Sequence, residues 1–377
     1  GSDDLELVAM SATIDAERIA EVIGAGSPAP VVAQTVPAYP LDERWAPSAS
    51  PRLDDRGVTR AFLDHVAGVA ASAALDLAGT DPAADILVFA PGAREVSELA
   101  ERVRDRAADL DVRELHGRIP AAEQDAVIRG RAANEPPRVI VTTSLAESSL
   151  TVPGVRLVVD TCLSRYPQRD TARGMTGLVT GPTSRASAIQ RAGRATRQGP
   201  GTVIRCVDER TFAAAPARPA PEIATTDLAE AALLLSCWGA PGGKGLRLLD
   251  PLPSDHLSDA HAVLRGLGAI DSENRATPEG RELARIPTDP RLARALRDGA
   301  PLVGARLAAE VVALLGGEIR ITDADIAAGL VALRQHRSPE HRRWSQEVER
   351  LLSFVRTAGA DVRGSIDDVG LVIALAF

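Results

Sequence analysis

Three short apolar runs set what this chain can fold into: Ile86-Leu87-Val88-Phe89, Val139-Ile140-Val141 and Val155 to Asp160. Each is of strand length, and two of them stop at a loop signal, Pro91-Gly92 after the first and Thr142-Thr143-Ser144 after the second. Uninterrupted hydrophobicity of this length marks strands buried on both faces. Between them lie segments of helical period. Val96, Leu99, Ala100 and Val103 form one apolar stripe, and Pro120 is read as the first helical residue of a segment running to Arg129. Val112 to Leu115 adds a strand that ends in a turn at His116-Gly117. Strands separated by helices of this size predict a doubly wound parallel α/β sheet, with ligands at the C-terminal ends of its strands.

On either side the pattern changes. Leu5 to Met10 reads as a strand, Ser11-Ala12-Thr13 as its polar end, Asp15 to Ile23 as a helix, and Leu41 to Trp45 as one strand within a Pro- and Ala-rich crossing segment. Between Arg169 and Thr180 a turn at Arg173-Gly174 flanked by β-type residues predicts a protruding hairpin. The Pro-rich segment Pro216 to Pro221 marks a domain boundary. Beyond it, a stripe of Leu228, Ala231, Ala232 and Leu235, a helix from Asp259 to Leu267, a polar turn at Asp271 to Arg275 and the Thr277-Pro278 helix start predict a small winged-helix-like module. From Asp289 the chain reads as all helix: 290–297, 305–315, 323–334, 341–357 and 367 onward. Trp238 and Trp344 fall in helical stripes and are expected in the core.

The chemistry gathers in Gln190-Arg191-Ala192-Gly193-Arg194-Ala195-Thr196-Arg197. A helix through this stretch would put Gln190, Arg194 and Arg197 on one face. Arginine is permanently charged and forked, which suits a transferring phosphoryl group, and glutamine can hold a water or a phosphate oxygen. Most basic runs are solvated helix faces. Here, however, seven arginines (165, 169, 173, 185, 191, 194 and 197) face one acid, Asp170, in a chain of net charge -8. Local charge opposing global charge points to a polyanion.

Composition narrows the alternatives. With 377 residues, 45% hydrophobic and 25% charged, the chain has room for two or three ordinary domains. No apolar run approaches the roughly 20 residues that span a bilayer, and no signal peptide is visible, so no membrane partner is expected and the cytoplasm is the default location. Cys162, Cys206 and Cys237 are widely spaced, without a CxxC, so neither a disulfide framework nor a metal site is expected. The histidines are scattered, and His116 is expected to be structural or part of a backbone-contacting loop rather than a base. Aromatic residues at 3% leave little for a base-stacking platform, so nucleic acid would be held by its backbone.

In order along the chain, Ser11-Ala12-Thr13, the run from Ile86 to Val96, Thr143-Ser144-Leu145-Ala146-Glu147-Ser148-Ser149-Leu150-Thr151 and Gln190 to Arg197 resemble motifs III, IV, V and VI of the DEAH-box ATP-dependent RNA helicases of superfamily 2. The resemblance is greatest to the HrpB type, with Leu249 to Pro253 and Pro290 to Ala293 also similar, and it covers nearly the whole chain. It implies paired RecA-like lobes holding ATP and Mg2+ between them. The chain would comprise a remnant of the first lobe (1–33), the second lobe (34–217), a winged-helix-like domain (218–288) and part of a helical, ratchet-like bundle (289–377). The resemblance implies that Gln190, Arg194 and Arg197 reach the γ-phosphate, with Arg197 as arginine finger. It further implies that Ser149, Glu147, Ser11 and Thr13 couple to the nucleotide, and that Thr143, Gly92, Arg94 and the hairpin Arg173 meet single-stranded nucleic acid, RNA in this family.

The sequence departs from the family in places. Thr196 replaces the usual Gly before the last arginine, Ser144 and Ser148 replace an Asn and a Thr, and Pro153 stands where an acid is common. No GxxxxGK[ST] loop is present: the nearest match, Gly243-Lys244-Gly245, has Trp238 at the first Gly position. There is no DEAH box, since Asp42-Glu43 and Asp208-Glu209 continue as Arg-Trp and Arg-Thr. The expectation is therefore a C-terminal part of a helicase, with Gly1-Ser2 as a tag remnant, which does not hydrolyse ATP alone. The rival expectation is a non-enzymatic nucleic-acid-binding module.

Overall fold

The computed structural model describes the chain except residues 1–5, 11–14, 25, 34–38, 133–134, 149, 171–174, 318–324, 336–338 and 356–363. It divides into two compact units, Gly1–Thr225 and Thr226–Phe377.

The first unit is built on a six-stranded sheet in which every neighbouring pair is parallel. Its strands are β1 (Leu41–Trp45), β4 (Asp85–Phe89), β5 (Asp111–Leu115), β6 (Arg138–Thr142), β7 (Val155–Asp160) and β10 (Gly201–Arg205), in the spatial order β1-β10-β7-β4-β6-β5. The short strands β2 (Leu53–Asp54) and β3 (Gly57–Val58) pair with each other, and β8 (Leu163–Asp170) with β9 (Met175–Pro182) forms the expected hairpin. The helices of this unit are α1 (Ala16–Ile23), α2 (Arg60–Thr80), α3 (Ala93–Arg106), α4 (Ala121–Ile128), α5 (Leu145–Ser148), α6 (Arg185–Ala192) and α7 (Glu209–Ala213).

The period of two along the strands sorts the core into two layers. Ile86, Val88, Val139, Val141, Leu157, Val159 and Ile204 meet α2 and α3 on one face. On the other, Leu87, Phe89, Ile140, Val158 and Val203 meet Val127 of α4, Ala146 of α5 and Ala192 of α6. Val96, Leu99, Ala100 and Val103 are buried as their stripe predicts.

Several expectations change. Glu6 to Met10 form no strand and are exposed, and no described residue pairs with them. Pro120 is the residue before α4 rather than its first. Between Pro51 and Ile86, where the sequence suggested no element, lies α2, capped by Thr59, whose hydroxyl accepts from the Phe62 amide at 3.2 Å. Its buried face is largely alanine (Ala67, Ala70, Ala71, Ala74), which contrasts little in hydropathy with its outer face. At 21 residues it is long and apolar enough to cross a bilayer, contrary to the sequence expectation, yet it buries Phe62, Leu63 and Val66 in the sheet core.

The second unit holds α8 (Ala229–Trp238), α9 (Ser254–Gly266), α10 (Pro278–Leu283), α11 (Pro290–Val303), α12 (Ala305–Gly316), α13 (Ile326–Gln335), α14 (Pro339–Leu352) and α15 (Val369–Ala376). The Asp271 turn closes an Ile270–Ala276 bridge, and Thr277 caps α10 by accepting from the Gly280 amide at 3.0 Å. Trp344 is buried and donates its indole N–H to the Glu310 carbonyl at 3.1 Å. Trp238, expected in the core, is 82% exposed. It sits at the end of α8, away from the face that buries Ala229, Ala232, Leu233 and Ser236.

Burial pushes the imidazoles of His116 and His261 below the usual 6.5. The Glu114 carboxylate opposes the shift at His116, and Arg265 adds to it at His261. The unfolded chain then takes up these protons more readily, so the contribution is complete above the free-imidazole value and is lost as pH falls below it. Thermal melting should show a lower midpoint at about pH 5.5 than at about pH 7.5, and His116→Asn with His261→Asn should flatten that difference.

Candidate functional site

Arg191 is the most buried arginine on the site, 1% exposed. It stands in the last turn of α6, where side chains lean back toward the helix start, and its guanidinium reaches the C-terminal end of β7. Its Nη1 donates to Asp160 Oδ1 at 3.0 Å and to the Leu163 carbonyl at 3.1 Å, Nη2 to Ser164 Oγ at 2.8 Å, and Nε to Glu147 Oε2 at 3.0 Å. The Phe89 ring packs against it, 5.2 Å from the guanidinium carbon to the ring centre. Burial works against the charge, but Asp160 and Glu147 outweigh it and hold the Arg191 pKa above its usual value. One side chain therefore ties α5, α6, β7 and β8 together.

The stretch from Gln190 to Arg197 is helical only as far as Ala192, so the condition for one shared face is not met. α6 ends at Ala192, and Arg194 and Ala195 donate their amides to Arg191 and Ala192 at 3.0 Å, three residues back. Gly193, a weak helix former, opens this tighter turn, and the chain must then enter β10 at Gly201. A Cβ at Gly201 would lie 2.3 Å from the Ala195 carbonyl oxygen, so only glycine lets strand and turn approach. Gln190 is on the helix, half-buried and hydrogen-bonded, while Arg194 and Arg197 leave from the turn.

These two arginines differ in environment. Arg194 is 6% exposed and donates to the Leu150 carbonyl at 2.9 Å and to the Glu147 carbonyl. Its pKa is pushed down to about 10, by burial first and by the Arg197 charge next, with Glu147 opposing. It remains a cation at neutral pH, but an unfavourably placed one, and an arriving anion would relieve it. Arg197 is exposed and donates to Thr151 Oγ1 at 2.7 Å. Thr196, in place of glycine, is buried with its hydroxyl 3.4 Å from the Gly193 carbonyl.

The other candidates lie at neighbouring strand ends. Thr143 follows β6, its hydroxyl accepting from the Leu145 amide at 3.4 Å at the start of α5. Gly92 and Arg94 follow β4, next to β6 in the sheet. Arg94 is exposed and pairs with Glu98 at 2.8 Å, which holds its pKa up. His116 accepts at Nδ1 from the Arg118 amide at 3.2 Å, a turn-building role. Ser11, Thr13, Ser149 and the hairpin Arg173 lie outside the described residues.

The cluster of Arg191, Asp160 and Ser164 does not stand out in the sequence as a unit. Asp160 was the available signal: an acid closing an otherwise apolar central strand must find a cation.

A six-stranded parallel α/β lobe of this kind is consistent with the RecA-like fold of helicase C-terminal domains. Comparison with known proteins agrees: residues 71–199 match the helicase conserved C-terminal domain. Over 97% of its length the chain is 31% identical to the ATP-dependent RNA helicase HrpB of Escherichia coli, and over 77% it is 30% identical to HrpA of the same organism. A crystal structure of E. coli DEAH/RHA helicase HrpB superposes on the whole chain with a TM-score of 0.83 at 29% identity. By sequence and fold the chain is similar to part of the DEAH/RHA helicases of HrpB type. It spans 42% of HrpB, 22% of HrpA and 45% of that HrpB structure.

Removing the anchor should be costly. Arg191→Met would leave Glu147 without its cation and Asp160 with only the Arg205 guanidinium at 4.0 Å, and equilibrium urea unfolding should show a loss of about 3–5 kcal/mol. A loss under about 1 kcal/mol would show that the network is dispensable.

Proposed function

We propose that this chain supplies the second lobe and following modules of an ATP-dependent RNA helicase, coupling ATP hydrolysis to translocation along, or unwinding of, nucleic acid, RNA in this family. The observation that carries this reading is the turn after α6, which holds Arg194 and Arg197 on a fixed base with Gln190 one turn earlier. The donor set fits a polyphosphate: Arg194 gains from a nearby anion, and Arg197 is free of any carboxylate among the described residues. Arg197 would act as the finger that stabilises charge on the transferring phosphoryl group, and Gln190 would orient water or a phosphate oxygen. ATP supplies that phosphoryl group and Mg2+ screens its charge. Mg2+ in such a site is held by one or two side chains together with phosphate oxygens and waters, and the family resemblance puts those side chains mainly on the first lobe.

Nucleic acid would cross the C-terminal strand ends, meeting Gly92, Arg94 and Thr143, largely through phosphate and sugar. Ser11, Thr13, Glu147 and Ser149 would link the two sites. The division of the second unit into winged-helix-like and bundle parts near residue 288, and a cytoplasmic site of action, belong to this proposal.

In the longer protein, RNA-stimulated ATP turnover should fall by about 10³ to 10⁵ in Arg197→Ala, while this chain alone turns over no ATP. A parent that hydrolyses no ATP with RNA or DNA would leave a non-enzymatic nucleic-acid-binding module.

A further inference from the structure

The first residues of β8 are gripped from two sides. Arg191 takes the Leu163 carbonyl and the Ser164 hydroxyl, and Ser164 Oγ donates to Thr183 Oγ1 at 2.7 Å. The next residue, Arg165, points the other way: its Nη2 donates to Glu95 Oε1 at 3.2 Å and its Nε to Thr180 Oγ1 of β9 at 3.4 Å. Glu95 is on the first turn of α3, 4% exposed, with Oε2 buried and without a hydrogen-bond partner among the described residues. Both groups press on Gly92: a Cβ there would lie 2.7 Å from the Arg165 guanidinium carbon and 2.7 Å from Glu95 Oε2.

The lead into β8 is itself constrained. Asp160 Oδ1 accepts from both Arg191 and the Cys162 amide, the latter at 2.8 Å, and Cys162 has φ +53, a left-handed conformation disfavoured for a side-chain-bearing residue. Such a residue keeps its geometry only while its surroundings enforce it. A shift of Arg191 would therefore be felt at Cys162, Leu163 and Ser164 together. Arg165 would pass it to Glu95 and the Gly92 loop.

We propose that Arg165 and Glu95 are a positioning pair that couples the Arg191-held arginine turn to the Gly92 loop through the base of the β8–β9 hairpin. The inference rests on the helicase reading, in which the turn faces nucleotide and the loop faces RNA. Neither residue touches substrate; each sets the place of groups that would.

The test is steady-state ATPase of the longer protein with and without single-stranded RNA, in parent, Arg165→Ala and Glu95→Gln, with melting temperatures alongside. RNA-free turnover should stay within about twofold of the parent, while stimulation at saturating RNA falls by about two- to thirtyfold in Arg165→Ala and by less in Glu95→Gln, which keeps shape and an acceptor. If Arg165→Ala melts early, Glu95→Gln and Ser164→Ala carry the test, each lowering stimulation. Undiminished stimulation in folded variants, or an equal fall with and without RNA, overturns the coupling while leaving the helicase reading intact. A parent without RNA-stimulated turnover overturns both.

Discussion

The buried guanidinium of Arg191 is what the rest of the site depends on. An ion taken out of water costs more than a single partner returns, and Arg191 is sustained by two carboxylates, a carbonyl, a hydroxyl and an aromatic ring. Such a centre gives little net stability compared with apolar packing, but it admits one arrangement of the four elements it joins. Arg194 can be held against carbonyls, and Arg197 left in solvent, because the turn that carries them begins on that anchor.

The arginine-rich stretch that singles out this region in the sequence proves to be mostly internal wiring. Arg165 pairs with Glu95, Arg185 donates to the Ala213 carbonyl, Arg191 is buried, and Arg194 is spent on two backbone carbonyls. Charge density in sequence thus overstates the charge offered to a ligand. Among the described arginines of this stretch, Arg197 stands in solvent, with Arg194 behind it at a lowered pKa.

The sheet was legible because strands buried on both faces leave unbroken apolar runs, as at Ile86 to Phe89. The helix α2 was not, because an alanine face packed on a sheet has no hydropathy contrast to read. Motif order pointed to the helicase lobe, while the local geometry of its last motif stayed open: Gly193 is visible in the sequence, but the close approach of Gly201 to Ala195, which goes with the turn, is a tertiary fact. Trp238 failed for a related reason, since a helical stripe does not say which side another element will cover.

On the proposed function, the turn after α6 presents Arg194 and Arg197 to charge that develops during phosphoryl transfer. The most direct measurement is the affinity of the longer protein for ADP and for ADP with a metal fluoride, a planar mimic of the transferring group, in parent and Arg197→Ala. ADP binding should be unchanged in Arg197→Ala and mimic binding weakened by at least about a hundredfold, since only interactions made in the transition state accelerate the step. Equal weakening of both ligands, or no change in either, would contradict it.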